Sequence, residues 1–150
     1  MNKPFEAIDA LTLYRILQLR SAVFVVEQSC VYQDIDDLDQ EGWHLWARRR
    51  SSQILAYARL LGPGARFAEP SIGRVLTASE ARGRGLGRSL MHRALELAGS
   101  LFPGQAVRIS AQQYLESFYA DLGFQRVGRS YLEDGIPHVE MVRPGLPSEQ

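Results

Sequence analysis

The sequence predicts a mixed α/β chain built on a central sheet, and three observations predict it. Leu86, Leu90, Ala94, Leu97 and Leu101 recur at roughly helical spacing. Short β-rich runs, WHLWARRR, QILAYARLL and SIGRVLTA, follow one another with brief interruptions. Between the last of these runs and the helix lies ARGRGLGRSL, a glycine-rich strand-to-helix junction of the kind where α/β proteins often hold ligands.

The predicted order is strand, helix, three strands, helix, strand, helix, two strands. LTLYRILQLRSAVFVVEQ sets Leu13, Ile16, Leu17, Val23 and Phe24 near one face, which predicts a helix over about 11–27 with Asp9 or Thr12 as its N-cap. WHLWARRR and QILAYARLL, separated only by Ser51 and Ser52, read as an antiparallel hairpin. SIGRVLTA, after the loop GPGARFAEP, is the third strand of that group. Pro103-Gly104 closes the long helix and AVRISA alternates as a short strand. LESFYADLGF reads as a short helix stopped by Gly123 at its C′ position, and QRVGRSYLE with PHVEMVR forms a last hairpin around Asp134-Gly135. The closing PGLPSEQ reads as a frayed tail. With no repeat, low-complexity tract or linker, residues 1–150 are expected to form one domain.

Composition narrows the function classes. At 150 residues and 45% hydrophobic, the chain supports one sizeable core. Lys+Arg and Asp+Glu number 17 each, so there is no overall basic field and no nucleic-acid partner is expected. Lys3 is the only lysine, so arginines carry meaning only where they cluster. Cys30 stands alone, which excludes an internal disulfide and an all-cysteine metal site; no metal is expected. MNKPFEAIDA lacks the apolar core of a signal peptide, and no window approaches the ~20 apolar residues of a membrane span. With a lone cysteine this points to the cytoplasm.

The junction itself predicts an anion cradle. A strand, a glycine-rich turn and a helix N-terminus present unpaired N–H groups, to which the helix dipole adds about half a positive charge. Gly83, Gly85 and Gly87 let the backbone approach a ligand, and Arg82, Arg84 and Arg88 add charged donors suited to a diphosphate. The P-loop pattern is excluded because its lysine and neighbouring hydroxyl are absent. The dinucleotide fingerprint fails too: the glycines run G-x-G-x-G, and AVRISA does not end in a ribose-binding acid.

Arg82, Gly85 and Gly87 meet the pattern [Q/R]-x-x-G-x-[G/A], and in this respect the chain resembles the GCN5-related N-acetyltransferases. The later LESFYADLGF resembles that family's A-x-x-[F/L]-Y-x-x-x-G-F segment, and the two motifs with their flanks span Ser71 to Phe124. LRSAVFVVEQ, YQDIDDLD and EDGIPH are similar to the ElaA-type subgroup. The resemblance implies the acyl-CoA N-acyltransferase fold: a mostly antiparallel sheet splayed between its two middle parallel strands, 71–78 and 106–111, and flanked by helices. It also implies transfer of an acetyl group from acetyl-CoA to a primary amine, or else an idle acyl-CoA-binding or sensing domain. By the same resemblance the backbone of Arg84, Gly85, Leu86, Gly87 and Arg88 takes the diphosphate, and Arg82 and Gly83 also belong to the cofactor site. Backbone groups of Leu76 and Thr77 take the pantetheine like an added strand. Gln112 contacts the cofactor where many relatives carry asparagine. Tyr119 donates a proton to the departing thiolate. A homodimer is compatible with the family.

A protonated amine must lose a proton before it attacks, which calls for a base. Many relatives place a Glu in or near the strand before the turn, and IGRVLTA has none. Glu27 and His138 are the leading candidates, with His44 and Glu133 beside them; His92 reads as a surface residue. Asp34, Asp36, Asp37, Asp39 and Glu41 form an acidic loop that could draw a cationic amine to the cleft or could simply be a solvated segment. Cys30 has no neighbouring base that would make it a nucleophile. The amine acceptor is not specified by the sequence.

Overall fold

The structure, a computed structural model, describes residues 1–50 and 53–145. The predicted turn at Ser51-Ser52 and the end of the tail, 146–150, lie outside the described residues. The strands are β1 (Asn2–Pro4), β2 (Trp43–Arg48), β3 (Ile54–Leu61), β4 (Ser71–Thr77), β5 (Val107–Gln112), β6 (Gln125–Glu133) and β7 (Ile136–Arg143). The helices are α1 (Ala10–Arg20), α2 (Leu86–Leu101) and α3 (Glu116–Ala120). The element order is the one predicted. One sheet runs β1-β2-β3-β4-β5-β7-β6, parallel between β4 and β5 and antiparallel at its other junctions.

β3 explains why the sheet is covered on both faces, because it is buried along its whole length. Its Ala56, Ala58 and Leu60 share a core with Leu90, Met91, Ala94 and Ala98 of α2 and with Tyr119, Leu122 and Phe124 around α3. Tyr57, one step out of phase, packs with Ile16, Val23, Phe24, Trp46 and Leu76 on the α1 side.

The first helix departs from the expectation of one regular helix over 11–27. Asp9 caps α1 by accepting from the Thr12 N–H at 2.8 Å, but after Arg20 residues 21–27 widen into π geometry. Gln28 N–H donates to Val23 O and Cys30 N–H to Val25 O, both five residues back. The β-branched Val23, Val25 and Val26 crowd a tight α turn, and a wider turn relieves them. The widened turn ends at Glu27 and Gln28, on the wall of the cleft described below.

Two turns behave as their residues predict. Asp134 (φ 51°) and Gly135 (φ 76°) both occupy the left-handed region, as a two-residue type I′ hairpin requires. Gly123 (φ 95°) ends the α3 segment, and a Cβ there would lie 3.2 Å from Arg143 Nε. No helix among the described residues is long and apolar enough to cross a membrane.

Candidate active site

β4 and β5 meet at one register pair, Ser71 with Arg108, and then part. A cavity of about 990 Å³ opens along this parting. β4 is also distorted: its register against β3 shifts between Tyr57 and Arg59, and Arg74 sits in the bulge with φ 52°, a strained value for a residue with a side chain. Ala78 N–H donates to Leu55 O at 2.8 Å, and ladder alternation from that bond turns the backbone of Leu76 toward β3 and that of Thr77 and Val75 toward the cleft. Leu76 therefore lines the cavity without offering it a free ladder bond. Thr77 keeps its N–H directed there, while its carbonyl accepts from Arg82 Nε at 3.1 Å.

The cradle lies at one end of this cleft. Gly83 (φ 81°) and Gly85 (φ 76°) adopt left-handed conformations with open space where a Cβ would sit, and Gly85 is the N-cap of α2. The first bond of the helix is Ser89 N–H to Gly85 O at 3.0 Å, and among the described residues the amides of residues 83–88 have no backbone acceptor. At Gly87 a Cβ would lie 3.4 Å from Thr77 Oγ1, in van der Waals contact, so a side chain branching beyond Cβ would fill the space between helix start and strand. A row of free N–H groups at the positive end of a 16-residue helix fits a diphosphate.

The arginines differ from the expectation. Arg82 is not free to grip a phosphate, because its guanidinium is engaged by both carboxylate oxygens of Glu27, one at 3.0 Å and the other in a very short contact. This pair ties the end of the widened turn to the cradle. The hydrogen bond from Arg82 holds the Glu27 carboxyl below its ordinary range, so Glu27 is a poor proton acceptor. Arg88 lies 3.6 Å from Asp121 and over the Phe118 ring, with both charged side chains well exposed. Arg84 is exposed and, among the described residues, makes no side-chain hydrogen bond or ion pair.

Tyr119 stands on the cavity wall, its ring edge-on to Phe118 and Phe124 at 5.1 and 6.0 Å. It is 7% exposed, and its hydroxyl has no hydrogen-bond partner among the described residues. Burial pushes the phenol above its ordinary value, so it holds its proton and presents a donor to the cleft. Gln112 reaches across to Gln28 with a 3.3 Å bond and also lines the cavity.

Opposite lies a polar group that the sequence named only in part. His138 Nδ1 is 2.7 Å from Ile136 O, and its Nε2 is 3.4 Å from Glu133 Oε2. Ser110 donates to the same Glu133 oxygen at 3.3 Å and is in short contact with the Tyr131 hydroxyl. Tyr131 stacks on the His138 ring, and Arg66 holds the other Glu133 oxygen at 2.7 Å. Ser110, Tyr131 and Arg66 carry no sequence signal beyond alternation within their segments, because strand pairing is what brings them together.

Three carboxylates of the acidic loop, Asp34, Asp36 and Asp39, are taken up by arginines, while Asp37 and Glu41 are exposed. Arg20, fully buried, bonds Asp34 at 2.9 Å and Asp39 at 2.7 Å. Arg59 bonds Asp36 at 2.8 Å and Asp39 at 2.9 Å. Arg74 Nη2 reaches Asp36 at 3.2 Å, and its Nε lies 2.8 Å from Asp34 without hydrogen-bond alignment. Three guanidiniums thus neutralise three carboxylates against the bulge of β4. They stand at 20, 59 and 74 in the chain, too far apart to read as a cluster. His44 belongs to this interior and not to the cleft: its Nε2 faces Asp39 O at 2.8 Å, and its Nδ1 meets the Tyr57 hydroxyl at 2.5 Å. Burial lowers its affinity for a second proton. Cys30 donates to Asp134 O at 3.2 Å, and His92 is exposed on α2. Among the described residues no group of three potential ligands is placed to hold a metal.

A family profile described as "Acetyltransferase (GNAT) domain" matches residues 13–143. The chain belongs to the GNAT acetyltransferase family. Within this GNAT family it is of the ElaA type: it is 43% identical over 135 residues to protein ElaA of Escherichia coli (strain K12), covering 87% of this chain and 86% of ElaA. The crystal structure of an acyl-CoA N-acyltransferase from Pseudomonas aeruginosa matches with a TM-score of 0.89 and 46% identity, covering 95% of this chain and 97% of that one. An aminoglycoside 6'-N-acetyltransferase complexed with coenzyme A shares the fold alone, with a TM-score of 0.74, 12% identity, and coverage of 100% of this chain and 99% of that one. The splayed, mixed sheet is the GNAT acyltransferase fold.

Proposed function

We propose that this chain, acting as one domain, transfers an acetyl group from acetyl-CoA to a primary amine by direct attack. The observation that carries the reading is the parting of β4 and β5, with free amides at its cradle end and the unpartnered Tyr119 hydroxyl on its wall. The family supports acyl transfer from a CoA carrier. The diphosphate takes the amides of Gly83 to Arg88, Thr77 and Val75 offer cleft-facing backbone to the pantetheine, and Gln112 lies beside the same path.

In this reading the acceptor ammonium gives one proton to His138 Nε2, the candidate base that is both in the cleft and uncommitted to an arginine. The amine lone pair then attacks the thioester carbon. The carbon–sulfur bond breaks, Tyr119 O–H donates to the departing thiolate, and the second proton of the nitrogen restores the phenol. One amide, one thiol and one released proton balance the reaction. Positioning in the cleft supplies much of the rate.

Thiol release from acetyl-CoA against a panel of primary amines tests this. Amine-dependent release that is lost in Tyr119→Phe supports it; CoA binding with no amine-dependent release would mark a sensing domain instead.

A further inference from the structure

The proton chemistry of His138 depends on which nitrogen is bare. Nδ1 lies 2.7 Å from a backbone carbonyl, which can only accept, so Nδ1 carries a hydrogen and neutral His138 presents its lone pair at Nε2. Nε2 lies 3.4 Å from Glu133 Oε2, at ion-pair distance but without hydrogen-bond alignment, so its lone pair stays open to the cleft. Once a proton arrives at Nε2, the imidazolium keeps its hydrogen bond to Ile136 O and has the Glu133 carboxylate at ion-pair distance.

The carboxylate is fixed for this task from two directions. Ser110 of β5 donates to the oxygen that faces His138, and Arg66 of the β3–β4 loop holds the other oxygen. Tyr131 of β6 stacks on the imidazole and contacts Ser110 through its hydroxyl. The remaining charged groups nearby are Glu140, two residues along β7 and bonded to Arg108 at 3.2 Å, and Asp134 in the hairpin turn, whose carbonyl accepts from Cys30. Glu133 and His138 are separated only by the Asp134-Gly135 turn and two β7 residues, so the hairpin that closes the sheet also builds the pair.

We propose that Glu133 is the positioning residue of the base: through Ser110 and Arg66 it is held where a proton taken from the acceptor amine at His138 Nε2 is shared and stabilised. This rests on the reading of His138 as base. It places the proton-accepting half of the chemistry on the β6–β7 hairpin, not on the strand that precedes the arginine-glycine turn.

Nitrogen-15 NMR of the imidazoles tests the pairing without an acceptor, with His138 assigned through His138→Gln. With the imidazole neutral, Glu133→Gln should move the His138 Nε2 resonance, because an amide replaces the carboxylate beside it, and Glu133→Asp should lie nearer the parent. Identical imidazole behaviour in parent and Glu133→Gln overturns the pairing. With propylamine as probe acceptor, Glu133→Gln should lower kcat about ten- to a hundred-fold at neutral pH with KM for acetyl-CoA unchanged, and adding it to His138→Gln should cost little more. An unchanged kcat in Glu133→Gln alongside a collapsed one in His138→Gln overturns the positioning role and keeps the base. A parent that does not turn propylamine over counts against the transfer reading itself, while the imidazole comparison still decides the pairing. Glu133 is half-buried, and unfolding curves that match the parent's show that a loss is chemical.

Discussion

Ser71 lies opposite Arg108, and this pair is where β4 and β5 stop being neighbours. Arg108 is braced there by Glu69 at 2.9 Å and Glu140 at 3.2 Å, while beyond it Arg74 is drawn to the other side by Asp34 and Asp36. Ion pairs thus flank the parting on both strands, and left-handed glycines shape the cradle at its end.

The cradle needs open space at Gly87. Gly87→Val would press its side chain against Thr77 in the space that a ligand needs, while disturbing only the exposed start of a long helix. Calorimetry should find CoA affinity lowered at least ten-fold with thermal unfolding nearly unchanged. Equal affinity would move the diphosphate elsewhere.

Tyr119 acts through one hydroxyl that supports no other part of the fold. Tyr119→Phe should reduce kcat by about 10²–10⁴-fold with CoA affinity retained. Because burial raises the phenol, the parent should show no alkaline loss of the donor near neutral pH.

Glu27 competes for the arginine nearest the diphosphate. Glu27→Gln should release Arg82, remove a negative charge from the cradle and tighten CoA binding, with a steeper salt dependence in the titration. Weaker binding would mean that the pair shapes the cleft and does not restrain it.

The buried arginines make stability sensitive to acid. Arg20→Ala leaves Asp34 with Arg74 alone and Asp39 with Arg59 alone, and should cost about 3–5 kcal/mol in denaturant unfolding. Arg59 and Arg74 pull the Asp36 carboxyl down to about 2 against burial, and Arg20 and Arg59 lower Asp39. A depressed carboxyl stabilises the fold above its unfolded value near 4 and loses that contribution as pH falls through its folded value. Stability should therefore hold at neutral pH and decline between about 4 and 2.

Much of this architecture was legible because it is written in local pattern. The strand and helix order, the Asp9 cap, the Asp134-Gly135 turn and the glycines of the cradle each follow from short-range chemistry. The π-widened turn was not, since 3.6-residue spacing and a five-residue bond differ too little over seven residues for apolar periodicity to distinguish them. The acidic loop misled for a different reason: its partners Arg20, Arg59 and Arg74 arrive from three elements, so Asp34, Asp36 and Asp39 are paired inside the fold while Asp37 stays exposed. Glu133 and His138 stood close in sequence, but Ser110 and Arg66 reach them only through the sheet.

Amide hydrogen exchange with and without CoA tests the central claim most directly. Slowed exchange at residues 83–88 together with Val75 and Thr77 is the predicted result. Protection elsewhere, with those amides exchanging as before, would contradict a carrier held by the helix start and the parted strands.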